Sequence, residues 1–202
     1  MATSRERILD ASEELFRRQG LTGTGIKQIL AQAEAPFGSL YHHFPGGKDQ
    51  LAAESIKRAG AYYLQLVAEV LLAEPDLVTG VRQAFLAAGQ TLVDTDYADA
   101  CPIETIALEV ASTNEPLRIA TAEVFDSWLD GLTALLVHEG LAEPQARALA
   151  HVIISALEGA FILARTARTT EALEANADAM ATLVAHALSD ARRPRRQLRA
   201  RR

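Results

Sequence analysis

The chain has 202 residues, of which 49% are hydrophobic and 5% aromatic, and it contains one cysteine. This length suits one large core or a smaller and a larger domain, and the many alanines and leucines favour packed helices over sheets. A single cysteine excludes an intrachain disulfide. No apolar run approaches the ~20 residues of a membrane span, and the charged first turns exclude a signal peptide. We therefore expect a cytoplasmic, all-α protein that does not enter a membrane.

The net charge of −6 is unevenly distributed. Residues 1–60 hold eight basic and seven acidic side chains (+1), residues 61–191 hold five and nineteen (−14), and residues 192–202 hold seven arginines and no acid (+7). A nucleic acid could therefore approach only a defined face of such a protein. The Arg-rich segment 192–202 cannot bury a core, so we expect it to be disordered. Two interpretations of this segment stay open. It could bind nucleic-acid phosphates nonspecifically, or it could be a solvated tail without a function.

The first helix begins at a capping box formed by Thr3 and Glu6 and runs to about Gln19, where Gly20 ends it. Its apolar face can cover two short helices that follow, which are too small to be stable alone. That face consists of Ile8, Leu9, Ala11, Leu15 and Phe16.

Two short helices joined by a tight turn follow. In the first, Ile26, Ile29, Leu30 and Ala33 share one helical face, and Thr24 is expected to cap its N-terminus. A tight turn at residues 34–36 follows. The second helix then covers about residues 36–44, and Pro36 occupies the first turn of that helix. This pattern predicts a helix-turn-helix, whose second helix can enter a DNA major groove.

In the second helix Leu40 and Phe44 are expected to be buried, and the opposite face is exposed. The stretches 38–44 (GSLYHHF) and 48–51 (KDQL), together with the preceding helix and its terminal glycine, resemble the DNA-binding signature of the TetR family of one-component regulators. The resemblance implies a three-helix DNA-binding domain over residues 1–50. It implies DNA contacts at Thr24, Gly25, Ala35, Pro36, Phe37, Gly38, Ser39, Tyr41, His42 and Lys48.

Within this set, Tyr41 and His42 match family positions that hydrogen-bond the DNA backbone, and Lys48 matches a phosphate contact at the start of a helix. Two positions depart from the family pattern. Glu34 replaces a frequent glycine and Phe37 replaces a frequent lysine or arginine, so Phe37 is expected to meet thymine methyl groups instead. A metal site at His42 and His43 is not expected, because adjacent side chains diverge on a helix and no third ligand lies nearby.

A long fourth helix, about residues 48–73, is expected to start at DNA and end within a second domain, which makes it a mechanical link. Five further helices follow over about residues 77–92, 102–112, 115–139, 143–168 and 171–191, giving about nine in total. The Cys101-Pro102 pair, the region of Trp128 and residues 157–160 resemble the LmrA/YxaF branch of the family. That resemblance implies an effector-binding and dimerisation domain over residues 51–191.

A small, largely apolar effector is expected to bind in a pocket among helices 4 to 8. Each candidate lining residue could instead be an ordinary hydrophobic core residue. The candidates are Tyr63, Leu66, Phe85, Cys101, Ile106, Phe125, Trp128, Leu132, Phe161 and Arg165. Glu104, Glu109 and Glu158 are expected either to hold the polar end of a ligand or to form ion pairs at the surface.

Helices 8 and 9 carry small and aliphatic faces that predict a two-fold symmetric four-helix dimer interface. Its predicted residues are Ile153, Ala156, Gly159, Ala160, Leu163, Leu183, Ala187 and Leu188.

These features predict a homodimeric repressor that binds a pseudo-palindromic double-stranded DNA operator and is released by the effector, with no cofactor and no metal. An enzyme is disfavoured because Cys101 is the only thiol and has no histidine near it in sequence. A helical protein that senses or sequesters a ligand without DNA stays an alternative.

Overall fold

The computed structural model describes residues 2–99 and 101–192, and the secondary structure of these two ranges consists of nine α-helices without a strand. The predicted all-α fold is confirmed. The first three helices are α1 (Ser4–Gly23), α2 (Ile26–Gln32) and α3 (Gly38–His43). The other six are α4 (Gly47–Ala73), α5 (Leu77–Asp94), α6 (Pro102–Val110), α7 (Glu115–His138), α8 (Glu143–Ala167) and α9 (Glu171–Arg192).

Several helix ends follow from local chemistry. The Thr3 hydroxyl accepts from the Glu6 backbone N–H while the Glu6 carboxylate accepts from the Thr3 N–H, which confirms the predicted capping box. Asp76 and Asn114 cap α5 and α7 in the same manner. Gly20 has a φ of +75° and interrupts α1, so the regular helix ends at Gln19 as expected.

Two details of the helix-turn-helix differ from the sequence prediction. Thr24 does not cap α2; it terminates α1, and Gly25 stands at the N-terminus of α2 without a side-chain cap. The second helix begins at Gly38 rather than Pro36. Glu34 adopts a left-handed backbone conformation with φ +49° in the turn, and the first residue of α3 therefore comes later than predicted.

The first hydrophobic core joins the three N-terminal helices to α4. Phe16, Leu40, Phe44, Leu51 and Ile56 are essentially inaccessible to solvent. The core continues into α6 and the first half of α7, where fully buried side chains meet it. Helix α6 is therefore packed directly on the DNA-binding helices, most extensively on α1. The most deeply buried residues of α6 in this core are Ile103 and Ile106, and Val110 lies beside them.

A second core lies at the other end of α4. It joins the last turns of α4 to α5, α7, α8 and α9, with α9 lying along α5 and α8 lying along α7. Phe85, Leu92, Leu136 and Leu173 are buried at its centre. Helix α4 spans both cores, and its 27 residues give a length of about 40 Å.

Helix α8 corrects one expectation from the sequence. Its 25 residues include an 18-residue window of mean hydropathy 1.6, so by length and composition it is apolar enough to cross a membrane. Only 28% of that window is buried within the chain. The helix packs on α7 and α9 through one face and carries exposed Val152, Ile162 and Leu163 on another. Apolar residues on several faces thus produce the long apolar stretch.

Candidate DNA-binding surface and effector cavity

Helix α3 divides into a buried and an exposed face, as its sequence predicts. Leu40 is inaccessible, whereas Phe37 and Tyr41 are 56% and 52% exposed and His42 is exposed beside them. The Phe37 and Tyr41 rings lie 6.3 Å apart between centroids, and the Tyr41 ring passes over Gly47. Two large aromatic side chains are therefore held outward at the surface that a major groove would meet.

The turn before α3 places the remaining predicted contacts nearby. Pro36 and Gly38 are exposed, and Ala35 and Ser39 are half-buried. The Ala35 N–H donates to the Leu30 carbonyl at 2.9 Å, which fixes the turn on α2. Glu34 is exposed, and its left-handed backbone explains why a glycine would suit this position.

Lys48 is anchored to the protein at the start of α4. Its ammonium Nζ donates to the Leu21 carbonyl at 2.6 Å. An ammonium carries three N–H donors, so this bond leaves two for a phosphate. The same bond ties the start of α4 to the connection between α1 and α2.

Thr24 faces away from the surface. Its side chain is 1% exposed, and its hydroxyl donates to the Gly20 carbonyl at 2.7 Å. The prediction that Thr24 contacts DNA is corrected for its side chain, because the buried hydroxyl already closes the end of α1. Gly25 is exposed next to it.

A cavity of about 490 Å³ lies between α4, α5, α7 and α8. Of the ten residues predicted to line it, seven do so, and the walls that the sequence missed are mostly small or aliphatic side chains of α4 and α5. The seven are Tyr63, Leu66, Phe85, Cys101, Trp128, Leu132 and Phe161. The missed residues include Val67, Leu71, Val81, Ala84, Ala88, Thr91, Asp99, Ile153 and Leu157. The helical spacing of Val81, Ala84, Phe85 and Ala88 along α5 could have identified that wall.

The other three predicted lining residues lie elsewhere. Ile106 is buried in the first core, and Phe125 packs edge-on against Trp128 with ring centroids 5.5 Å apart. Arg165 donates to the carbonyl oxygens of Tyr97 and Ala98 in an outer groove between α6 and α8. Each has its own partner outside the cavity, so the prediction is corrected at these three positions.

The polar groups at the cavity wall are already engaged within the protein. Asp99 pairs with Arg17 at 2.9 Å and Arg18 at 3.0 Å, and the Trp128 indole N–H donates to the Gly60 carbonyl at 2.9 Å. Burial raises the pKa of Tyr63, and the neighbouring Arg17 opposes this shift. A molecule inside the cavity would therefore meet mainly apolar surface.

Two carboxyl groups lie beside the cavity wall, behind Cys101. Burial, and next the charge of Glu104, raise the pKa of Glu158 to about 8, although the Cys101 thiol opposes this shift. Burial also raises the pKa of Glu104, against the effect of Arg165. Among the described residues, Glu158 Oε2 and Glu104 Oε1 are buried without a hydrogen-bond partner. Burial thus favours the protonated form of Glu158.

Cys101 itself is buried, and burial, with Glu158 as the next cause, raises its pKa well above the usual value. A catalytic thiol requires the opposite shift. No cluster of three His, Cys, Asp or Glu side chains in residues 2–99 and 101–192 could hold a metal ion.

The Glu109 carboxylate is bound by the backbone of a distant part of the chain. Its carboxylate accepts hydrogen bonds from the backbone N–H groups of Leu21 and Thr22, at 3.0 and 2.7 Å. These two residues are 88 and 87 positions away along the chain, so no local sequence pattern could have predicted the contact.

Part of the surface predicted for the dimer is exposed in the single chain. Leu163 is 60% and Leu183 is 39% exposed, and Ala156, Gly159 and Ala187 are half-buried. The prediction is corrected at three positions that lie in the chain's own core and offer almost no surface to a partner. These are Ile153, Ala160 and Leu188. Part of the apolar stripe that was predicted to face a second subunit therefore faces the core of the same chain.

Residues 8–54 match the family model described as bacterial regulatory proteins of the tetR family. Residues 78–179 match the model of the C-terminal domain of LmrA/YxaF-like transcriptional regulators. Together the two matches cover most residues of both cores.

Individual relatives resemble the chain over most of its length. The HTH-type transcriptional regulator LmrA of Bacillus subtilis is 37% identical over 170 residues, which is 84% of this chain and 90% of LmrA. The uncharacterized regulator YxaF of the same organism is 34% identical over 163 residues, 81% of this chain and 85% of YxaF. The crystal structure of a TetR transcriptional regulator from Chloroflexus aurantiacus superposes with a TM-score of 0.74 and 29% identity, covering 90% of this chain and 94% of that one.

Three observations support the same family assignment: the helix-turn-helix with its outward aromatic face, the helical body behind it, and the similarity to these relatives. The chain belongs to the TetR family of DNA-binding transcriptional regulators, with an LmrA/YxaF-type C-terminal domain, and it is not an enzyme.

Proposed function

We propose that the protein is a cytoplasmic homodimeric repressor that leaves a pseudo-palindromic operator when a small, largely apolar effector fills the cavity. In this proposal residues 1–50 bind DNA, and residues 51–191 bind the effector and the second subunit. The observation that carries it is the outward face of α3, where Phe37, Tyr41 and His42 are exposed although the core lies directly beneath them.

DNA recognition follows from the chemistry of that face. The Tyr41 hydroxyl and the His42 ring supply hydrogen bonds to the DNA backbone, and the Lys48 ammonium adds a positive charge. Phe37 offers apolar contact to thymine methyl groups in the major groove. The −14 charge of residues 61–191 repels DNA from the rest of the body, which favours approach through this end.

Dimerisation is supported by the exposed apolar surface of α8 and α9. Val152, Ile162, Leu163 and Leu183 are exposed in the single chain, and a second copy packed on them would remove that surface from water. Two-fold symmetry then places the two α3 helices about 34–36 Å apart, one DNA turn, as a pseudo-palindromic operator requires.

Release by an effector is supported by the cavity. Its volume of about 490 Å³ suits a drug-sized molecule, and its polar wall groups are paired within the protein, so affinity would come from apolar burial. Such a molecule weakens DNA binding only if it binds better to a second arrangement of the helices, in which the two α3 helices no longer match the operator spacing.

The first experiment is a gel shift with DNA from upstream of the protein's own gene, at several salt concentrations. We expect a discrete complex that survives excess competitor DNA and is lost in Tyr41→Ala. The matched control is Tyr62→Ala, since Tyr62 is similarly exposed, at 62%, on α4 away from α3. Weak binding that salt abolishes and that Tyr41→Ala leaves unchanged would overturn the proposal in favour of a ligand-binding protein that does not use DNA.

Effectors can then be identified directly, because Trp128 is the only tryptophan and lines the cavity. We expect an effector to change Trp128 fluorescence and to dissociate the operator complex over the same concentration range. A compound that fills the cavity without affecting the DNA complex would contradict the release mechanism for that compound.

A further inference from the structure

We propose that Glu109 is the positioning residue through which α6 connects the cavity to the DNA-binding end, an inference that rests on the proposed function. Its two carboxylate oxygens each accept one backbone N–H, from Leu21 at 3.0 Å and from Thr22 at 2.7 Å. These amides belong to the connection between α1 and α2, which we call the α1–α2 junction (residues 20–25). Both bonds are charge-assisted, and two acceptors on one rigid group fix direction as well as distance.

The junction is shaped to receive this carboxylate. Gly20 has a φ of +75°, and a Cβ atom built there would lie 1.8 Å from Glu109 Oε1. The glycine therefore supplies both the backbone conformation and the space for the carboxylate.

The junction holds the parts of the DNA-binding end that surround it. The Thr24 hydroxyl closes on the Gly20 carbonyl, and α2 begins at Ile26 directly after the junction. The Lys48 ammonium donates to the carbonyl of Leu21, the residue whose N–H is held by Glu109. A displacement of Leu21 therefore moves both the start of α2 and the cation that we assign to a DNA phosphate.

The opposite end of α6 faces the cavity. Cys101, which stands at the N-terminus of α6, lines the cavity, and so does Asp99 just before it. Asp99 also pairs with Arg17 and Arg18 in the last turns of α1. Helix α6 has nine residues, so about 13 Å of stiff helix separates the cavity wall from the junction.

This arrangement gives the cavity a shorter connection to the DNA-binding end than α4 alone provides. A molecule that pushes on Cys101 or Asp99 displaces α6 as a unit, because Ile103 and Ile106 pack it tightly and a packed core transmits displacement. Glu109 then carries that displacement to Leu21 and Thr22. Removing the carboxylate should leave the cavity in place, loosen the junction that positions α2 and Lys48, and weaken the coupling between the cavity and the DNA-binding end.

The test compares Glu109→Ala and Glu109→Gln with a matched control, Glu115→Ala. Glu115 is an exposed carboxylate bonded to Arg118 on α7, so the control removes the same charge without touching the junction. Operator affinity is measured by fluorescence anisotropy, and amide hydrogen exchange is followed over residues 17–24. Ala88→Phe, a substitution on α5 that projects a ring into the cavity, serves as a built-in occupant in each background.

We expect Glu109→Ala to accelerate exchange at Leu21 and Thr22 at least tenfold and to weaken operator binding at least tenfold. Glu109→Gln should have a smaller effect, because its amide oxygen can still accept one N–H, and the control should stay within twofold of wild type. In the protein with Glu109, adding Ala88→Phe should change operator affinity at least fivefold. In the Glu109→Ala protein, adding Ala88→Phe should leave operator affinity nearly unchanged.

Faster exchange with unchanged operator affinity would reduce Glu109 to a structural cap and overturn the inference. The inference would also be overturned if Ala88→Phe changed operator affinity by the same factor with and without Glu109, whatever the size of that factor. Coupling would then bypass Glu109. If the wild-type protein forms no operator complex, the proposed function fails. The exchange data would still decide whether Glu109 holds the junction and whether Ala88→Phe reaches it.

Discussion

The two ends of α4 lie in differently built surroundings. At the DNA-binding end, buried and charged groups cross-link α1, α4 and the junction: Ser12 bonds Ser55 at 2.7 Å, Arg58 binds Asp10 and Glu13, and Lys48 binds the Leu21 carbonyl. At the other end the same helix borders a cavity of about 490 Å³ with an apolar wall. The first region resists deformation because directional bonds would break, whereas the second can change shape at the expense of nondirectional contacts.

The largest expected difference between the regions comes from adding volume. Ala52 is fully buried between α1 and α4, so Ala52→Phe should lower the free energy of unfolding by about 3 kcal/mol or more. Ala88→Phe, at the cavity, should change it by less than about 1 kcal/mol because the ring enters open space. Denaturant unfolding measures both, and equal losses would mean that the cavity is not available in solution.

The buried carboxyl of Glu158 should make the cavity region sensitive to pH. Its pKa of about 8 in the folded protein lies above the ordinary value of 4.5, so the folded state binds more protons between these values. Stability should therefore fall as pH rises from about 5 to 8, by about 3 kcal/mol. Glu158→Gln should remove most of this dependence and be the more stable protein at pH 8. Parallel melting profiles of the two proteins across this range would contradict the assignment.

The cross-linked region can be weakened at its buried hydroxyl pair. Ser12→Ala leaves Ser55 buried without its partner and should cost about 1–2 kcal/mol. Ser12→Ala combined with Ser55→Ala should cost less than the sum of the two single changes, because no unpaired hydroxyl is left. Thermal unfolding of the three variants gives the coupling, and strictly additive losses would show that the pair is not a unit.

The smallest effect is expected at a surface ion pair of the region that contains the cavity. Arg82 pairs with Asp178 at 2.8 Å across α5 and α9, and both side chains are largely exposed. Arg82→Ala should therefore change stability by less than about 0.5 kcal/mol, and added salt should reduce even this. A loss above about 1 kcal/mol would indicate that Arg82 has a further role in packing α5 on α9.

Much of the fold and of the DNA-binding surface was predictable because it depends on local periodicity. Leu40 and Phe44 lie four positions apart and face the core, so Tyr41 must lie on another face of the same helix. Thr3 and Gly20 marked the ends of the first helix through short-range hydrogen bonds and backbone preferences that adjacent residues determine. Likewise, the aromatic residues that line the cavity could be proposed from their helical spacing.

Other features depend on contacts between distant residues. Thr24 looked like a cap for α2, yet its hydroxyl turns back to Gly20 and is buried. Ile153, Ala160 and Leu188 looked like interface residues, and the rotation of α8 and α9 in the packed body placed them in the core. A sequence shows that a helix has an apolar face, but not which neighbour covers it.

The sequence by itself thus determined an all-α chain, most of its helix ends, the helix-turn-helix and its outward aromatic face, because each depends on residues within about one or two helical turns. Only the tertiary structure decided where the cavity lies, that α6 packs on α1, and that Glu109 binds the junction. Those features arise when helices far apart in the chain pack together, and their mutual rotation is set by the whole core.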